Sequence, residues 1–251
     1  MTMIQSVDRA LEILIYLYKA DKEMGITQIA QDLGIYKSTV YRTLLTMENR
    51  GFISKNPETD KYWLGNRFFT MGKSVEKKIG IQDIIKPYAK ALRDEFNVVV
   101  NVSILERDNG EQYRSVIIVK ESANSILTLS PEIGSHSLCH CSSVGKCLLA
   151  FSEDIDLSLY DEGMQRYTEN TIITRQQLEA ELKKVRANGY AIEKEEQEEG
   201  LACIGAPILG ENGYAVAAIS MSGSVNKILD DDKYRKIEEL KKTARMISDK
   251  L

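Results

Sequence analysis

Three cysteines and two histidines are the residues whose types could do chemistry at one place: His136, Cys139, His140, Cys141 and Cys147. Thiolate sulfur and imidazole nitrogen bind zinc, and closely spaced thiols can undergo redox chemistry. Side chains alternate along an extended chain, so Cys139 and Cys141 could share a metal ion that His140 could not easily reach. Neither a second cysteine pair nor an acid–base partner for a thiol accompanies them. They are therefore candidates for a metal- or thiol-redox-sensing regulator, and we predict no catalytic residue.

A second set of polar residues lies on one face of a predicted helix. Residues 25–53 contain two apolar-periodic segments, 27–33 and 37–50, joined at Gly34, which is typical of a helix-turn-helix. Val40, Leu44 and Met47 fall at i, i+4 and i+7 and predict the buried face of the second helix. The opposite face carries donors and cations of the kinds that bind phosphates and base edges in DNA. They are Lys37, Ser38, Thr39, Tyr41, Arg42 and Thr46, with Arg42 the foremost candidate for a base or phosphate contact.

The residues after this helix predict a β-hairpin. Gly51 is a helix-ending signal, and residues 52–55 and 61–64 have strand composition on either side of a turn at 56–60. A hairpin at this place is the wing of a winged helix-turn-helix, and Lys61 on it is a further candidate for DNA contact. A helical hairpin with a merely solvated polar face is the alternative, which the wing disfavours.

Length and charge agree with a two-domain DNA-binding protein. The chain has 251 residues, 43% of them hydrophobic, which allows two domains with a core in each. Its net charge is -4, but residues 1–80 contain 12 Lys and Arg against 9 Asp and Glu, a balance of +3. The basic surplus thus accompanies the predicted DNA-binding segment. No apolar run is long enough to span a membrane and no signal peptide is evident, so we expect a cytoplasmic protein.

Around these residues the periodicity predicts helices at the N-terminus and in the middle of the chain. Ser6 is the expected N-cap of a first helix whose apolar stripe packs behind the helix-turn-helix. Two further apolar-striped helices, 65–78 and 81–96, are predicted to link the domains and to offer a dimerisation surface. Pro87 predicts that the second of them begins near Ile85 or bends there. The stripe of the first helix comprises Val7, Ala10, Leu11, Leu14, Ile15 and Tyr18.

Beyond Asn97 the apolar pattern changes to a period of two, which predicts strands interrupted by helices. The predicted strands are residues 98–106, 114–120, 125–129, 190–195, 202–208 and 214–221, and the predicted helices are 142–151, 175–187 and 230–250. We therefore expect a two-domain α/β protein. Its parts are a winged helix-turn-helix at 1–65, a linker helix at 66–80 and a mixed α/β domain of the small-molecule sensor type at 81–251.

Five segments in order resemble the IclR family of bacterial transcriptional regulators, and together they cover nearly the whole chain. They read SVDRALEIL, LGIYKSTVYRTLLTMENRGFI, CHCSSVGKCLLA, NGYAIEKEEQEEGLACIGAPI and AVAAISMSG. The resemblance implies a winged helix-turn-helix joined by a helix to a GAF-like effector domain. It further implies a homodimer, or a dimer of dimers forming a homotetramer, on a pseudo-palindromic double-stranded DNA operator. No cofactor is expected.

The same resemblance implies an effector pocket, carried over position by position. The family's acidic residue after Gly-Tyr corresponds to Glu193, where aspartate is the more usual residue. The remaining positions are a histidine, backbone near a Gly-Lys step, a cysteine before Ala-Pro-Ile and two serines of the last strand. In this sequence these are His140, Gly145, Cys203, Ser220 and Ser222.

The residues support a pocket for an anion on their own chemistry. Ser220 and Ser222 share one face of a predicted strand by alternation, and Cys203 and Gly205 share a face of its neighbour. Ser142 begins a helix whose free N–H groups and dipole would receive a carboxylate. The acidic run that follows Glu193 is either a solvated face or a loop that closes over the pocket. We predict a regulator whose operator binding responds to a small organic acid by a population shift. The shift changes the spacing of two reading helices, which are the predicted second helices, residues 37–50, of the two helix-turn-helix units in a dimer.

Overall fold

The computed structural model describes residues 4–107, 111–123 and 131–251. By its internal contacts the chain divides into two units, Met1–Ile79 and Gly80–Leu251. The finer division into residues 1–65, 66–80 and 81–251 stays a prediction. Among the described residues, no helix combines the length and the apolar character needed to cross a membrane.

The first unit is a winged helix-turn-helix. Its elements are α1 (Gln5–Ala20), α2 (Ile26–Asp32), α3 (Lys37–Asn49), β1 (Ile53–Lys55), β2 (Tyr62–Leu64) and α4 (Arg67–Ile79). Between α2 and α3, Gly34 has the positive φ of 65° that the turn requires. Val40, Leu44 and Met47 are buried, as predicted. β1 and β2 pair antiparallel and form the wing.

Helix α1 differs from its prediction in its start and in its buried face. It begins at Gln5 after Ile4, without a side-chain cap, so the predicted N-cap at Ser6 is wrong. Ile13 and Leu17 are fully buried against the helix-turn-helix. Of the predicted stripe, only Ala10 and Leu14 pack partly against this core, whereas Val7, Leu11, Ile15 and Tyr18 are 50–53% exposed. The helix is apolar on two sides, and the period alone does not say which side meets the core.

The second unit is built on a six-stranded sheet. Its helices are α5 (Gln82–Phe96), α6 (Ser143–Phe151), α7 (Arg175–Asn188), α8 (Val225–Ile228) and α9 (Lys233–Ser248). Its strands are β3 (Val99–Glu106), β4 (Arg114–Glu121), β5 (His136–Leu138), β6 (Ala191–Lys194), β7 (Leu201–Leu209) and β8 (Ala215–Ser224). The strand order is β5-β4-β3-β8-β7-β6, and every pairing is antiparallel. The predicted strand at 125–129 lies outside the described residues.

The two faces of this sheet differ in polarity. One face presents an apolar row that includes Ile204, Met221 and Val100, paired across three strands and buried. Helices α5 and α9 pack on the sheet and on each other, and α6 occupies the opposite face with α7 outside it. Because α6 fills only part of its face, the remaining strand positions there enclose a cavity.

Helix α5 is not a free linker. Its apolar residues Ile85, Ala89 and Leu92 are buried, and the helix packs on β3 and β4. It runs from Gln82 without a break, so Pro87 lies inside it rather than at its beginning. The stripe that suggested a dimerisation surface is used in this helix to cover the sheet. Other boundaries agree with the predicted strands and helices to within a few residues.

Candidate functional site

The predicted DNA-contacting residues all lie on α3 and the wing. Six of them occupy α3, where Lys37, Tyr41 and Arg42 are exposed, and Lys61 is exposed just before β2. The hydroxyl of Thr46 donates to the carbonyl oxygen of Arg42 at 2.8 Å, so this donor is already used within the helix. Helix α3 therefore presents cations and hydroxyls on the face opposite its buried stripe.

Tyr36 lies at the N-cap of α3, is 86% exposed and was not among the predicted DNA-contacting residues. A tyrosine side chain combines an apolar ring with a hydroxyl, so it can make both kinds of contact with a partner at the start of this polar helix face. An indication of this contact was present in the sequence, because Tyr36 directly precedes Lys37, the first predicted DNA-contacting residue. Its position next to Lys37 adds it to the candidate DNA-contacting face.

A cavity of about 860 Å³ lies in the second unit, between the sheet and the N-terminus of α6. Four of the predicted effector residues line it: Ser142, Cys203, Ser220 and Ser222. Strand register explains why they meet. Cys203 pairs with Ser222, and the next row in the same direction joins Gly205, Ser220 and Asn101. These positions alternate with the apolar row of the other face, so their side chains share one side of the sheet.

Close backbone approach brings the start of α6 onto this face. A Cβ on Gly205 would lie 2.8 Å from the carbonyl carbon and oxygen of Ser143, so only glycine allows the helix to sit there. Ser142 is the N-cap of α6, and its Oγ accepts a hydrogen bond from the N–H of Gly145 at 3.1 Å. Gly145 packs closely against the backbone of Cys139, since a Cβ on Gly145 would lie 2.3 Å from Cα of Cys139. The helix thus turns its positive end toward the cavity.

Glu193 does not line the cavity. It is fully buried on β6, directly opposite the cavity residue Cys203. Its Oε1 accepts hydrogen bonds from the backbone N–H groups of Glu196 at 2.7 Å and Gln197 at 3.3 Å. Burial raises the pKa of Glu193, against the opposing effect of these hydrogen bonds. The carboxylate therefore holds the segment after β6, whose next residues, Gln197 to Leu201, border the cavity.

The acidic run is therefore divided rather than uniformly solvated. Glu196, like Glu193, is buried, and its Oε1 lies 2.5 Å from Nζ of Lys146. Burial raises the pKa of the Glu196 carboxyl as well. Glu198 and Glu199 are exposed and line the cavity. The buried carboxylate of Glu196 thus anchors this segment to Lys146, whereas the exposed carboxylates of Glu198 and Glu199 lie at the cavity.

His140 and Gly145 also lie outside the cavity lining. His140 is fully buried, and its Nε2 lies 3.1 Å from the carbonyl oxygen of Gln165. Burial lowers the pKa of the imidazole, so the neutral ring donates its Nε2 proton to this carbonyl. Among the described residues its Nδ1 has no hydrogen-bond partner.

The cysteine cluster adopts a geometry different from the extended one expected. Residues Cys139–Cys141 form a 3₁₀ turn and are buried, as is Cys147. Burial raises the pKa of the Cys139 thiol well above its usual range and the pKa of Cys141 and of Cys147 to about 12. Thiols in such surroundings stay protonated and are poor nucleophiles and ligands. Within residues 4–107, 111–123 and 131–251, no group of three or more His, Cys, Asp or Glu side chains is arranged to hold a metal ion.

Two cavity residues on β3, Asn101 and Ser103, were not predicted. Both line the cavity, and they are 8% and 1% exposed. Their signal was an Asn and a Ser at alternate positions of the strand Val99–Glu106, whose neighbours are mostly Val and Ile. Polar residues at inward positions of an apolar strand indicate a polar cavity as readily as a structural hydrogen bond.

Family models match both units of the chain. A model described as the IclR helix-turn-helix domain matches residues 6–57, and one described as the bacterial transcriptional regulator IclR C-terminal matches residues 73–249. The transcriptional repressor IclR of Escherichia coli K12 is 30% identical over 230 residues, which cover 91% of this chain and 83% of the repressor.

Solved structures share the fold. The crystal structure of the Thermotoga maritima IclR has a TM-score of 0.72 and 27% identity, covering 99% of each chain. An IclR homologue from Microbacterium hydrocarbonoxydans, crystallised in complex with 4-hydroxybenzoate, has a TM-score of 0.80 and 18% identity, covering 97% of this chain and 98% of the homologue. The curated relatives are transcriptional regulators, which confirms the prediction of a regulator rather than an enzyme. The chain belongs to the IclR family of bacterial transcriptional regulators.

Proposed function

We propose that this regulator binds a double-stranded DNA operator through α3 and the wing, and that a small organic acid in the cavity of the second unit controls this binding. The observation that carries the proposal is the N-terminus of α6, which opens onto a cavity lined by hydroxyl groups. Backbone N–H groups and a helix dipole favour an anion, and the hydroxyls of Ser220 and Ser222 can donate to carboxylate oxygens. The hydroxyl of Ser142 already donates to the carbonyl oxygen of Leu138 at 3.3 Å, so Ser142 contributes mainly as the N-cap that places the helix end.

Four residues line the site of the acid in this proposal. Ser142 at the helix N-cap and Ser220, Ser222 and Cys203 on the sheet surround the helix end. The remaining family positions act through their neighbours. Gly145 allows the helix to start against Cys139, Glu193 fixes the loop at the cavity edge, and His140 fixes a second loop through the Gln165 carbonyl. The 4-hydroxybenzoate bound by the Microbacterium homologue supports an acid as the class of ligand.

Calorimetric titration of the full chain with a panel of small organic acids tests the cavity. We expect at least one acid to bind, and we expect the Ser220→Ala, Ser222→Ala double variant to bind it at least tenfold more weakly. Ser54→Ala, which removes an exposed hydroxyl of the first unit, serves as control and should bind the acid like the unchanged protein. Equal affinity in the double variant and the unchanged protein would refute the proposed site.

The DNA-binding half of the proposal rests on the charge and exposure of α3. Arg42 and Lys37 are exposed on the face opposite the core. A DNA fragment selected by the unchanged protein from a random library provides the target. Replacing Arg42 by Ala should weaken binding by about 1–3 kcal/mol if it reads a base, and by a smaller, salt-dependent amount if it contacts a phosphate. Arg245→Ala, an exposed cation of α9, should bind DNA normally.

Control of DNA binding requires two reading helices held at a ligand-dependent spacing. We propose a homodimer, or a dimer of such dimers, in which occupancy of the cavity shifts the population between DNA-binding and non-binding arrangements. The exposed apolar side chains of α1 support association through the first unit. Gel-shift titration of the selected DNA with and without a bound acid measures the shift, and an affinity unaffected by saturating acid would contradict the mechanism.

A further inference from the structure

The carboxylate of Glu23 holds the turn of the wing from outside the hairpin. Glu23 lies between α1 and α2. Its two carboxylate oxygens accept hydrogen bonds from Nδ2 of Asn56 at 2.8 Å and 3.0 Å, and its Oε2 also accepts one from Oγ1 of Thr59 at 3.0 Å. Asn56 and Thr59 both belong to the segment that joins β1 to β2. Hydrogen bonds to an ionised acceptor are stronger than those between neutral groups, so this contact constrains the turn.

The two residues that contact Glu23 also organise the backbone of the turn. Oδ1 of Asn56 accepts from the N–H groups of Glu58 at 2.9 Å and Thr59 at 3.3 Å, which closes an Asx turn. The amide nitrogen of Asn56 is bound to Glu23, so both polar atoms of this side chain are engaged. Oγ1 of Thr59 donates to Glu23 and accepts from the N–H of Lys61 at 3.4 Å. Hydrogen bonds thus run from Glu23 through Thr59 to the backbone of Lys61.

A strand-like pairing fixes the base of the wing beside this contact. Met24 follows Glu23 in the chain and exchanges two backbone hydrogen bonds of 2.9 Å with Tyr62 on β2. The loop between α1 and α2 therefore lies beside the hairpin, and this pairing of backbone groups does not depend on the side chain of Glu23. Removing the carboxylate should accordingly free the turn without detaching the base of the wing.

Lys61 is the cation that this arrangement positions. It is exposed, whereas the next residue, Tyr62, is buried, because successive side chains of a strand point to opposite faces. The other cation of the wing, Lys55, is ion-paired with Asp60 at 2.6 Å. Lys61 has no ion pair within the part of the chain that the structure describes. Its ammonium is therefore available to a phosphate of DNA.

We infer that Glu23 is a positioning residue for DNA binding, an inference that rests on the proposed contact of the wing with DNA. Glu23 sets the turn so that Lys61 meets a phosphate without further ordering. A turn ordered before binding loses less conformational entropy when the complex forms. The sign of the effect separates this role from simple charge. A carboxylate close to DNA repels phosphates, so its removal alone would tighten binding, whereas loss of the positioning weakens it.

DNA titrations of the full chain at several salt concentrations test the role of Glu23. The probe is a fluorescently labelled DNA fragment that the unchanged protein selects from a random library, and its anisotropy reports binding. Glu23→Ala should weaken binding by about threefold or more. Like Lys61→Ala, it should reduce the slope of log K against log salt by about one for each bound copy of the chain. The control is Glu58→Gln, which removes an exposed carboxylate of the same turn and should bind as tightly as the unchanged protein or more tightly.

Two further variants relate Glu23 to Lys61. In the Lys61→Ala background, Glu23→Ala should change the affinity by less than about twofold, because the group that it positions is absent. Thr59→Val removes the hydroxyl between the two residues and keeps the shape of the exposed side chain, so it should also weaken binding. Fluorescence of Trp63 on β2 shows whether each variant keeps the fold of the first unit. If Glu23→Ala does not fold, Thr59→Val takes its place in the comparison.

The results separate the role of Glu23 from the proposed function. Unchanged or tighter binding by Glu23→Ala, or an equal loss with and without Lys61, overturns the inference and leaves DNA binding through α3 and the wing intact. Unchanged binding by Lys61→Ala removes the wing contact and the inference with it, while Arg42→Ala still tests α3. If the unchanged protein selects no DNA fragment, the proposed DNA binding and the inference fail together.

Discussion

Nζ of Lys146 lies 2.5 Å from Oε1 of Glu196 inside the second unit, where 1% of the lysine side chain is exposed. The ammonium also donates to the carbonyl oxygen of Ile192 at 3.2 Å, and Glu181 lies 3.8 Å away. A buried cation thus joins α6 to the segment that follows β6. This segment continues into the cavity edge at Gln197, so the ion pair holds one wall of the proposed effector site.

Lys146→Met should lower the free energy of unfolding of the second unit by about 3–5 kcal/mol, because it leaves the Glu196 carboxylate buried without its partner. Adding Glu196→Gln should restore part of this loss, since no charge then remains unpaired. Urea denaturation followed by circular dichroism measures both variants. Fluorescence of Trp63, the one tryptophan of the chain, follows the first unit separately.

The matched control is Lys236→Met. Lys236 is also buried and pairs with Asp230 at 2.6 Å, but the Asp230 side chain is 39% exposed and stays hydrated when the lysine is removed. Its loss should therefore cost distinctly less than the loss of Lys146. Equal destabilisation by the two substitutions would contradict the explanation from the burial of Glu196.

Glu193→Gln should change how stability depends on pH. Burial raises the pKa of Glu193 above the ordinary 4.5, so the folded state holds this proton more tightly than the unfolded state does. The resulting stabilisation is fully present below about pH 4.5 and is lost as pH rises through the raised folded-state pKa. Relative to Glu193→Gln, the unchanged protein should therefore lose stability as the pH rises above about 4.5.

Urea titrations at several pH values measure this difference. Glu198→Gln, which replaces an exposed carboxylate of the same segment, should give a curve parallel to that of the unchanged protein. A curve for Glu193→Gln that is also parallel would show that the buried carboxyl does not titrate differently in the folded state.

The buried face of a helix could be predicted from the sequence where only one of its faces is apolar. The buried stripe of Val40, Leu44 and Met47 and the opposite cationic face of α3 follow from the period of a helix alone. The two apolar sides of α1 could not be ranked in this way, because the choice of Ile13 over Leu11 depends on the shape of the packing partner. Local periodicity carries no information on that partner.

The residues of the candidate site likewise divide into those that local alternation predicts and those that depend on how distant strands pair. Ser220 and Ser222 were expected on one face by alternation, and the family resemblance directed attention to them. That Asn101 lies beside Ser220 depends on the register of β3 against β8, which joins residues more than a hundred positions apart. The burial of Glu193 likewise depends on a turn whose N–H groups reach back to it, and an acidic run alone predicts a solvated surface.

Gly205→Ala should disturb the start of α6. The new Cβ would lie 2.8 Å from backbone atoms of Ser143, which cannot rotate away as a side chain would. Overpacking of this kind costs about 1–3 kcal/mol of stability and would shift the helix N-terminus away from the cavity. Calorimetry with an acid that binds the unchanged protein should show at least tenfold weaker binding.

Gly72→Ala is the matched control for this substitution. Gly72 lies inside α4, and a Cβ there meets no atom within 4 Å. Because alanine favours the helix, this variant should be more stable by about 0.5–1 kcal/mol and should bind the acid normally. If Gly205→Ala is as harmless as Gly72→Ala, the close approach of α6 to β7 is not needed for the site.

The cysteines should be unreactive in the folded protein. Burial raises the pKa of Cys141 and Cys147 to about 12, and Cys139 and Cys203 are shifted in the same direction. At pH 8 these thiols are protonated, and Cys139, Cys141 and Cys147 are also buried while Cys203 is half-buried. A disulfide reagent should therefore label them only slowly in the folded protein, whereas all four should react at once in guanidinium chloride. Cys203 alone lines the cavity, so a bound acid should slow its labelling further. Rapid native labelling of Cys139, Cys141 or Cys147 would favour the thiol-redox alternative.

Charged substitutions on α1 should weaken self-association. Ile4, Val7, Leu11, Ile15 and Tyr18 recur at intervals of three and four residues and are 50–69% exposed, which makes a continuous apolar seam along the helix. Leu11→Glu with Ile15→Glu places two carboxylates in this seam, so sedimentation equilibrium should show a dissociation constant raised at least tenfold. Tyr234→Glu, at an isolated exposed aromatic residue of α9, should leave association unchanged.

Because two half-sites require two reading helices, the Leu11→Glu, Ile15→Glu variant should also lose DNA binding at low protein concentration and regain it as concentration rises. Unaltered association in the double variant would mean that the seam on α1 does not join the two copies.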